Sequence, residues 1–191
     1  MNRRRQSVYV AYAVLALVIV PFGYFYLFLG VRFFRVPSVS MVPTLEIADY
    51  LVTVPDTAYE PGDIVVLHDP DVDGQYLVKR IVAIENSVVR AQGGGLFVNG
   101  RYVSEPYLYE PMRYDMAEYT VPPDSVFVLG DNRNQSEDSH NWDRDPDKPN
   151  APGKPRALPR DQVIGRVVAI YLPFDRIQRI RSYRLEDLRA G

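Results

Sequence analysis

The order of apolar and polar positions divides the chain into three stretches. The first is a run from Gln6 to Val31, 26 residues without a charge, entered through Arg3, Arg4 and Arg5 and closed by Arg32. As a helix it would extend about 39 Å at about 1.5 Å per residue, enough to cross a hydrocarbon layer about 30 Å thick. It predicts a transmembrane helix over residues 7–31, with Pro21 mid-run and Tyr24, Phe25, Tyr26, Phe28, Phe33 and Phe34 at the far end, where aromatic side chains suit a headgroup layer. A cleaved leader would have an apolar run of about 7–15 residues and a small-residue cut site, and Phe22-Gly23-Tyr24-Phe25 offers no such site. The triple arginine places a basic N-terminus (1–6) in the cytoplasm and the body beyond the membrane, although Arg32 and Arg35 work against that bias.

The second stretch, residues 32–174, alternates short β-branched runs with turn residues. Strands are predicted at Asp63–Leu67 after Pro61-Gly62, at Tyr76–Ile84, at Ser125–Leu129 and at Val163–Leu172. Leu96–Val103 reads as a hairpin, because Asn99-Gly100 supplies the positive-φ pair of a type I′ turn. Helical periodicity is absent. The expected fold is mainly β, a compact antiparallel domain built as a barrel or as packed sheets, anchored by one N-terminal transmembrane helix. Five prolines between Asp143 and Arg160 predict an exposed loop. In the third stretch, 175–191, Ile177, Ile180, Tyr183, Leu185 and Leu188 recur at near-helical spacing among arginines. They predict an amphipathic helix, packed on the body or lying on a bilayer.

Composition narrows the chemistry. The chain has no cysteine and two histidines, His68 and His140, which excludes thiolate metal sites, disulfides and a cysteine nucleophile, and makes a Ser-His-Asp triad hard to build. Residues 1–35 carry five arginines and no acid, residues 36–174 carry 12 basic against 21 acidic side chains, and residues 175–191 carry five against three. An acidic body is a poor match for nucleic acid, whereas basic ends suit a membrane surface.

Three elements could carry a reaction. Val36-Pro37-Ser38-Val39-Ser40-Met41-Val42-Pro43-Thr44 holds two serines between prolines that stiffen the backbone, a pattern equally suited to a linker. A serine nucleophile needs a base. With histidine scarce, the candidates are the three lysines, of which Lys148 and Lys154 lie in the proline-rich loop. Lys79 lies inside the apolar run Tyr76–Val82, where burial would lower its pKa, although strand period alone favours an outward-facing lysine. The third element, Gly130-Asp131-Asn132-Arg133 through Ser139, follows a predicted strand and reads singly as a polar turn.

Together and in this order, Ser38–Leu45, Gly62–Val66, Tyr76–Arg80, Val98-Asn99-Gly100 with Glu105–Leu108, and Gly130–Arg133 with Ser136 and Asp138-Ser139 resemble bacterial-type signal peptidase I, a family of membrane-bound Ser-Lys peptidases. The resemblance covers Phe34 to about Leu172. It implies Ser40 as nucleophile and Lys79 as general base, Ser38 as a donor to the oxyanion, Ser136 as the group orienting Lys79, and Arg80, Asp131, Arg133 and Asp138 as structural support. It also implies precursor proteins bearing signal peptides as substrates, cut after small residues in an Ala-X-Ala pattern, with the lipid bilayer as the setting. No metal, cofactor or nucleic acid is expected, and no oligomer is implied. The chain departs from the family at Ala83-Ile84-Glu85-Asn86, where a Gly-Leu-Pro-Gly-like turn is usual, and at His140, where arginine is frequent. The rival readings are a Ser-Lys maturation peptidase of narrow substrate range and an inactive membrane-anchored β domain. A self-cleaving repressor shares the chemistry but would need a DNA-binding segment in place of residues 1–35.

Overall fold

Regular structure follows the β-branched runs. A computed structural model describes residues 3–70, 72–143 and 156–183. After one helix, α1 (Arg3–Phe28), come β1 (Arg32–Arg35), β2 (Tyr50–Val54), β3 (Ile64–His68), β4 (Tyr76–Ile84), β5 (Val88–Gln92), β6 (Gly95–Val98), β7 (Arg101–Val103), β8 (Met116–Thr120), β9 (Ser125–Leu129), β10 (Leu158–Pro159), β11 (Val163–Leu172) and β12 (Gln178–Arg179). Of the two β architectures expected, packed sheets are observed. One sheet runs β1-β2-β11-β3-β4-β9-β10 with β12 added on β11, and the second runs β7-β6-β5-β8. Every pairing is antiparallel. Asn99 and Gly100 take φ of 52° and 77° and close the β6–β7 hairpin, the left-handed pair that the turn requires.

The core has three parts. Val82, Ala83, Phe127 and Leu129 of the large sheet pack on Val89, Leu96, Val98 and Val103 of the small one. Val36, Met41 and Leu45 cover Ile64, Val66 and Val78, and Trp142 and Leu158 cover Val65, Ile81 and Val128. Strands β3, β4 and β9 therefore lie in the middle of the large sheet, which explains why β9 is buried at every position instead of alternating.

α1 spans 26 residues and includes Pro21. No helix among the described residues is long and apolar enough to cross a membrane, so the transmembrane helix expected over 7–31 is not supported. Tyr9, Tyr12, Tyr24 and Tyr26 interrupt the aliphatic side chains that α1 exposes. Gly30, at φ 64°, turns the chain out of the helix toward β1; a side chain there would press on Pro55.

Two further expectations are corrected. The loop expected to be exposed through Arg160 is buried at its end. Ala157 and Leu158 enter the core because β10 pairs with β9, while residues 144–155, with Lys148 and Lys154, lie outside the described residues. Residues 177–183 are not helical. After a 3-10 turn at Phe174–Arg176, β12 pairs with the exposed flank of β11, Ala169 opposite Arg179 and Ile170 opposite Gln178. Backbone pairing to an available strand outweighs a weak helical pattern. The rest of that expected helix, with Leu185 and Leu188, lies outside the described residues.

Candidate active site

The segment carrying Ser38 and Ser40 is a tight loop between β1 and β2. Its turns are closed by Val42 N–H to Val39 O (3.1 Å) and Leu45 N–H to Met41 O (2.9 Å), and its ends are tied by Val36 N–H to Asp49 O (2.8 Å) and Ala48 N–H to Val36 O (3.0 Å). Met41 and Leu45 are buried, so the loop is pinned by its own apolar side chains. Arg176 clamps the far end with Nε 2.7 Å from Asp49 and Nη1 2.8 Å from Glu46. Ser40 is 8% exposed, and Ser38 Oγ donates to Ser40 Oγ at 3.3 Å.

A second loop, Gly130–Ser139, meets the first. Asn132 N–H donates to the Ser40 carbonyl (2.9 Å), Asn132 Nδ2 donates to the Val39 carbonyl (3.2 Å), and Thr44 Oγ1 donates to Asp131 Oδ2 (2.5 Å). Gly130 lies at the junction. A Cβ there would stand 2.5 Å from the Ser40 carbonyl oxygen and collide with Ser136 Oγ, so only glycine lets the loops approach this closely. Ser136 Oγ is buried and has no hydrogen-bond partner. The expected bond from Ser136 to Lys79 is therefore not formed, and the hydroxyl stands unpaired beside Gly130.

Lys79 lies in β4 opposite Val65 of β3 and is 2% exposed. Strand period suggests an outward position, but β4 is covered on both faces and buries Val78 through Ala83 without a break. Burial pushes the Lys79 amine below its ordinary value, with Asp138, Glu137, Asp69 and Asp131 pulling the other way by their charge. Three of the four, Asp131, Glu137 and Asp138, belong to the loop that holds Ser40.

The expected supports are present, with partners that the sequence did not assign. Arg80, next to Lys79, forks Asp131 through Nε (2.8 Å) and Nη2 (2.7 Å) and donates Nη1 to the Gly62 carbonyl (2.8 Å). Burial opposes the Arg80 charge, but Asp131 outweighs it and holds the guanidinium more firmly protonated. Arg133 pairs with Glu105 (2.5 and 2.6 Å) and returns Nε to the Gly130 carbonyl (3.0 Å). Asp138 accepts from Gly130 N–H (2.8 Å) and faces His140 Nδ1 at 2.8 Å. Its burial raises its pKa, yet His140, Lys79 and the Gly130 amide together leave the carboxyl below its usual range. His140 in turn stacks on Tyr114, centroids 4.1 Å apart. Thr44, Glu105, Tyr107 and Asn132 were not singled out for any role. Glu105 and Tyr107 lie in the stretch that carries the family resemblance, but only the fold brings them to Arg133 and Arg80. Among the described residues, no group of three or more His, Asp or Glu side chains could hold a metal ion.

The model of the family described as "Signal peptidase, peptidase S26" matches residues 6–172. The chain is 34% identical over 166 residues to signal peptidase I of Leptolyngbya laminosa, covering 78% of this chain and 75% of that protein. It is 34% identical over 167 residues to the probable signal peptidase I-1 of Synechocystis sp., covering 81% and 78%. It is 36% identical over 152 residues to the chloroplastic thylakoidal processing peptidase 1 of Arabidopsis thaliana, covering 72% of this chain and 41% of that protein.

Proposed function

The chain belongs to the signal peptidase family, peptidase S26, and from that premise we propose that it is a membrane-bound serine endopeptidase that removes signal peptides from exported precursor proteins through a Ser40–Lys79 dyad. The observation that carries this reading is the buried amine of Lys79, lowered in pKa, which feels the charge of a loop that also grips the Ser40 backbone. A buried lysine whose pKa is lowered can act as a base, and the loop whose charge it feels donates to the Ser40 carbonyl.

Neutral Lys79 takes the proton of Ser40 Oγ as that oxygen attacks the scissile carbonyl carbon. The oxyanion is received by the Ser40 N–H and the Ser38 hydroxyl, which already points at Ser40 Oγ. The protonated amine then passes its proton to the leaving amino group, and water releases the acyl group from Ser40 by the reverse sequence. Ser136 is the orienting partner of the amine once the site is loaded, which would give its unpaired hydroxyl a bond. Cleavage after small residues, in an Ala-X-Ala pattern, is the specificity that the family resemblance implies.

Membrane attachment rests on α1. Its described side chains from Val8 to Val20 are all exposed, so no face is held by the body and an apolar surround would bury them. The arginines at its start suit the anionic surface of a bilayer.

The test is cleavage of a precursor by the detergent-solubilised full chain, with sequencing of the new N-terminus. The expected result is one cut after a small residue, abolished by Ser40→Ala with the melting temperature unchanged. Turnover near wild type in that variant would remove Ser40 from the reaction.

A further inference from the structure

Residues 173–183 lie beyond the 6–172 stretch matched by the family model, yet they return to the candidate site. Ile180 N–H donates to the Val168 carbonyl (2.9 Å), Ser182 Oγ donates to Asp63 Oδ1, and Tyr183 N–H donates to the Gly62 carbonyl at 3.3 Å. The Tyr183 ring meets Tyr107 edge-on, centroids 5.3 Å apart. Gly62, at φ 102°, has no room for a side chain because a Cβ would collide with the Tyr183 carbonyl.

Both ends of this contact converge on one guanidinium. The Gly62 carbonyl that accepts from Tyr183 also accepts from Arg80 Nη1, and the Tyr107 ring that packs on Tyr183 lies 4.0 Å beneath Arg80 Cζ. Arg80 then forks Asp131, and Asp131 receives the Thr44 hydroxyl from the Ser40 loop. We propose that Tyr183 is a positioning residue for the peptidase reaction: it clamps Arg80 from two sides, and through Asp131 and Thr44 fixes the loop that presents Ser40. This inference rests on the peptidase reading for its kinetic consequence but not for its geometry.

The chain of contacts has a directional consequence. Tyr183 has none of these contacts with Ser38 or Ser40, so its loss loosens the loop and lowers kcat while leaving KM nearly unchanged. An aromatic pair of this kind corresponds to about a three- to tenfold change in rate. The contact needs the ring and not the phenol, so Tyr183→Phe restores the rate.

The experiment compares the full chain with its Tyr183→Ala and Tyr183→Phe variants in detergent. It measures kcat and KM on a precursor peptide, and the exchange rate of the Arg80 Nε proton by NMR. Tyr183→Ala should lower kcat about three- to tenfold with KM within about twofold and speed Arg80 Nε exchange, and Tyr183→Phe should reverse both. Tyr183→Leu, which keeps bulk without the aromatic edge, should be as slow as Tyr183→Ala, and a wild-type kcat in it would overturn the proposal. Unchanged kcat in Tyr183→Ala, a loss confined to KM, or a Tyr183→Phe variant as slow as Tyr183→Ala would overturn the proposal. If the wild-type chain cleaves nothing, the peptidase reading falls, and the exchange measurement alone decides the clamp: faster exchange in Tyr183→Ala upholds it, and an unchanged rate overturns it.

Discussion

At the scale of single residues, the proposed reaction turns on the protonation state of one amine. Lys79 is buried and its pKa is lowered, first by desolvation. Activity should therefore rise with pH as Lys79 loses its proton, with the foot of the kcat/KM profile below the ordinary lysine range. Lys79→Arg should be as inactive as Lys79→Ala, because a guanidinium keeps its proton; a peptide-cleavage assay checks both. The same shift affects stability. A basic group whose folded-state pKa is depressed weakens the fold most below that folded value, and the penalty fades as pH rises toward the unfolded value. Lys79→Met should therefore stabilise the protein at neutral and acidic pH, with the gain shrinking toward alkaline pH in denaturant melts. Ser136 separates stability from rate. Its hydroxyl is buried without a partner, so Ser136→Ala should leave the melting temperature unchanged or raise it slightly, while kcat falls if the hydroxyl orients Lys79 during the reaction.

At the scale of elements, two loops are held together by a shared set of buried charges. Arg80 and Asp131 have almost no solvent contact, so removing one leaves the other unpaired in the core. Asp131→Ala should lower stability by about 3–5 kcal/mol and also release Thr44. Gly130→Ala should act differently: a methyl group would wedge the Ser40 loop away from Ser136, so activity should drop more than stability. Urea unfolding and cleavage kinetics on the same preparations distinguish the two effects. His140 belongs to this level as well. It stands beside Asp138 and on Tyr114, which ties the end of the same loop to the segment before β8.

At the scale of the whole molecule, the β domain is self-contained and α1 leaves its described apolar side chains uncovered from Val8 to Val20. Attachment through α1 predicts that the full chain sediments with lipid vesicles, while a chain beginning at Val31 stays in solution. Recovery of both chains in the supernatant would exclude attachment through α1. Tethering would also raise the effective concentration of a membrane-held precursor, so the shortened chain should cleave soluble peptides at the full rate but membrane-held precursors more slowly.

The amino-acid order by itself marked β3, β4, β6, β7, β9 and β11, while β1, β2, β5, β8, β10 and β12 carried no readable signal. Tyr76–Ile84, Ser125–Leu129 and Val163–Leu172 coincide with β4, β9 and β11, because β-branched runs and the turn pair at Asn99-Gly100 act over a few residues. The serine loop, the lysine strand and the acidic loop were also legible, through their spacing and their resemblance to one family. Tertiary structure alone decided the surroundings of those groups. Whether Lys79 faces water depends on what covers β4, which residues far along the chain supply, and strand period is silent on a sheet covered on both faces. The partners of Arg80, Arg133 and Asp138, the junction at Gly130 and the return of Tyr183 to Gly62 are contacts between segments distant in sequence. The third stretch shows the same limit: near-helical spacing at Ile177 and Ile180 yielded to an open strand flank, since local propensity amounts to tenths of a kcal/mol per residue while a free backbone edge offers hydrogen bonds worth about 1 kcal/mol each.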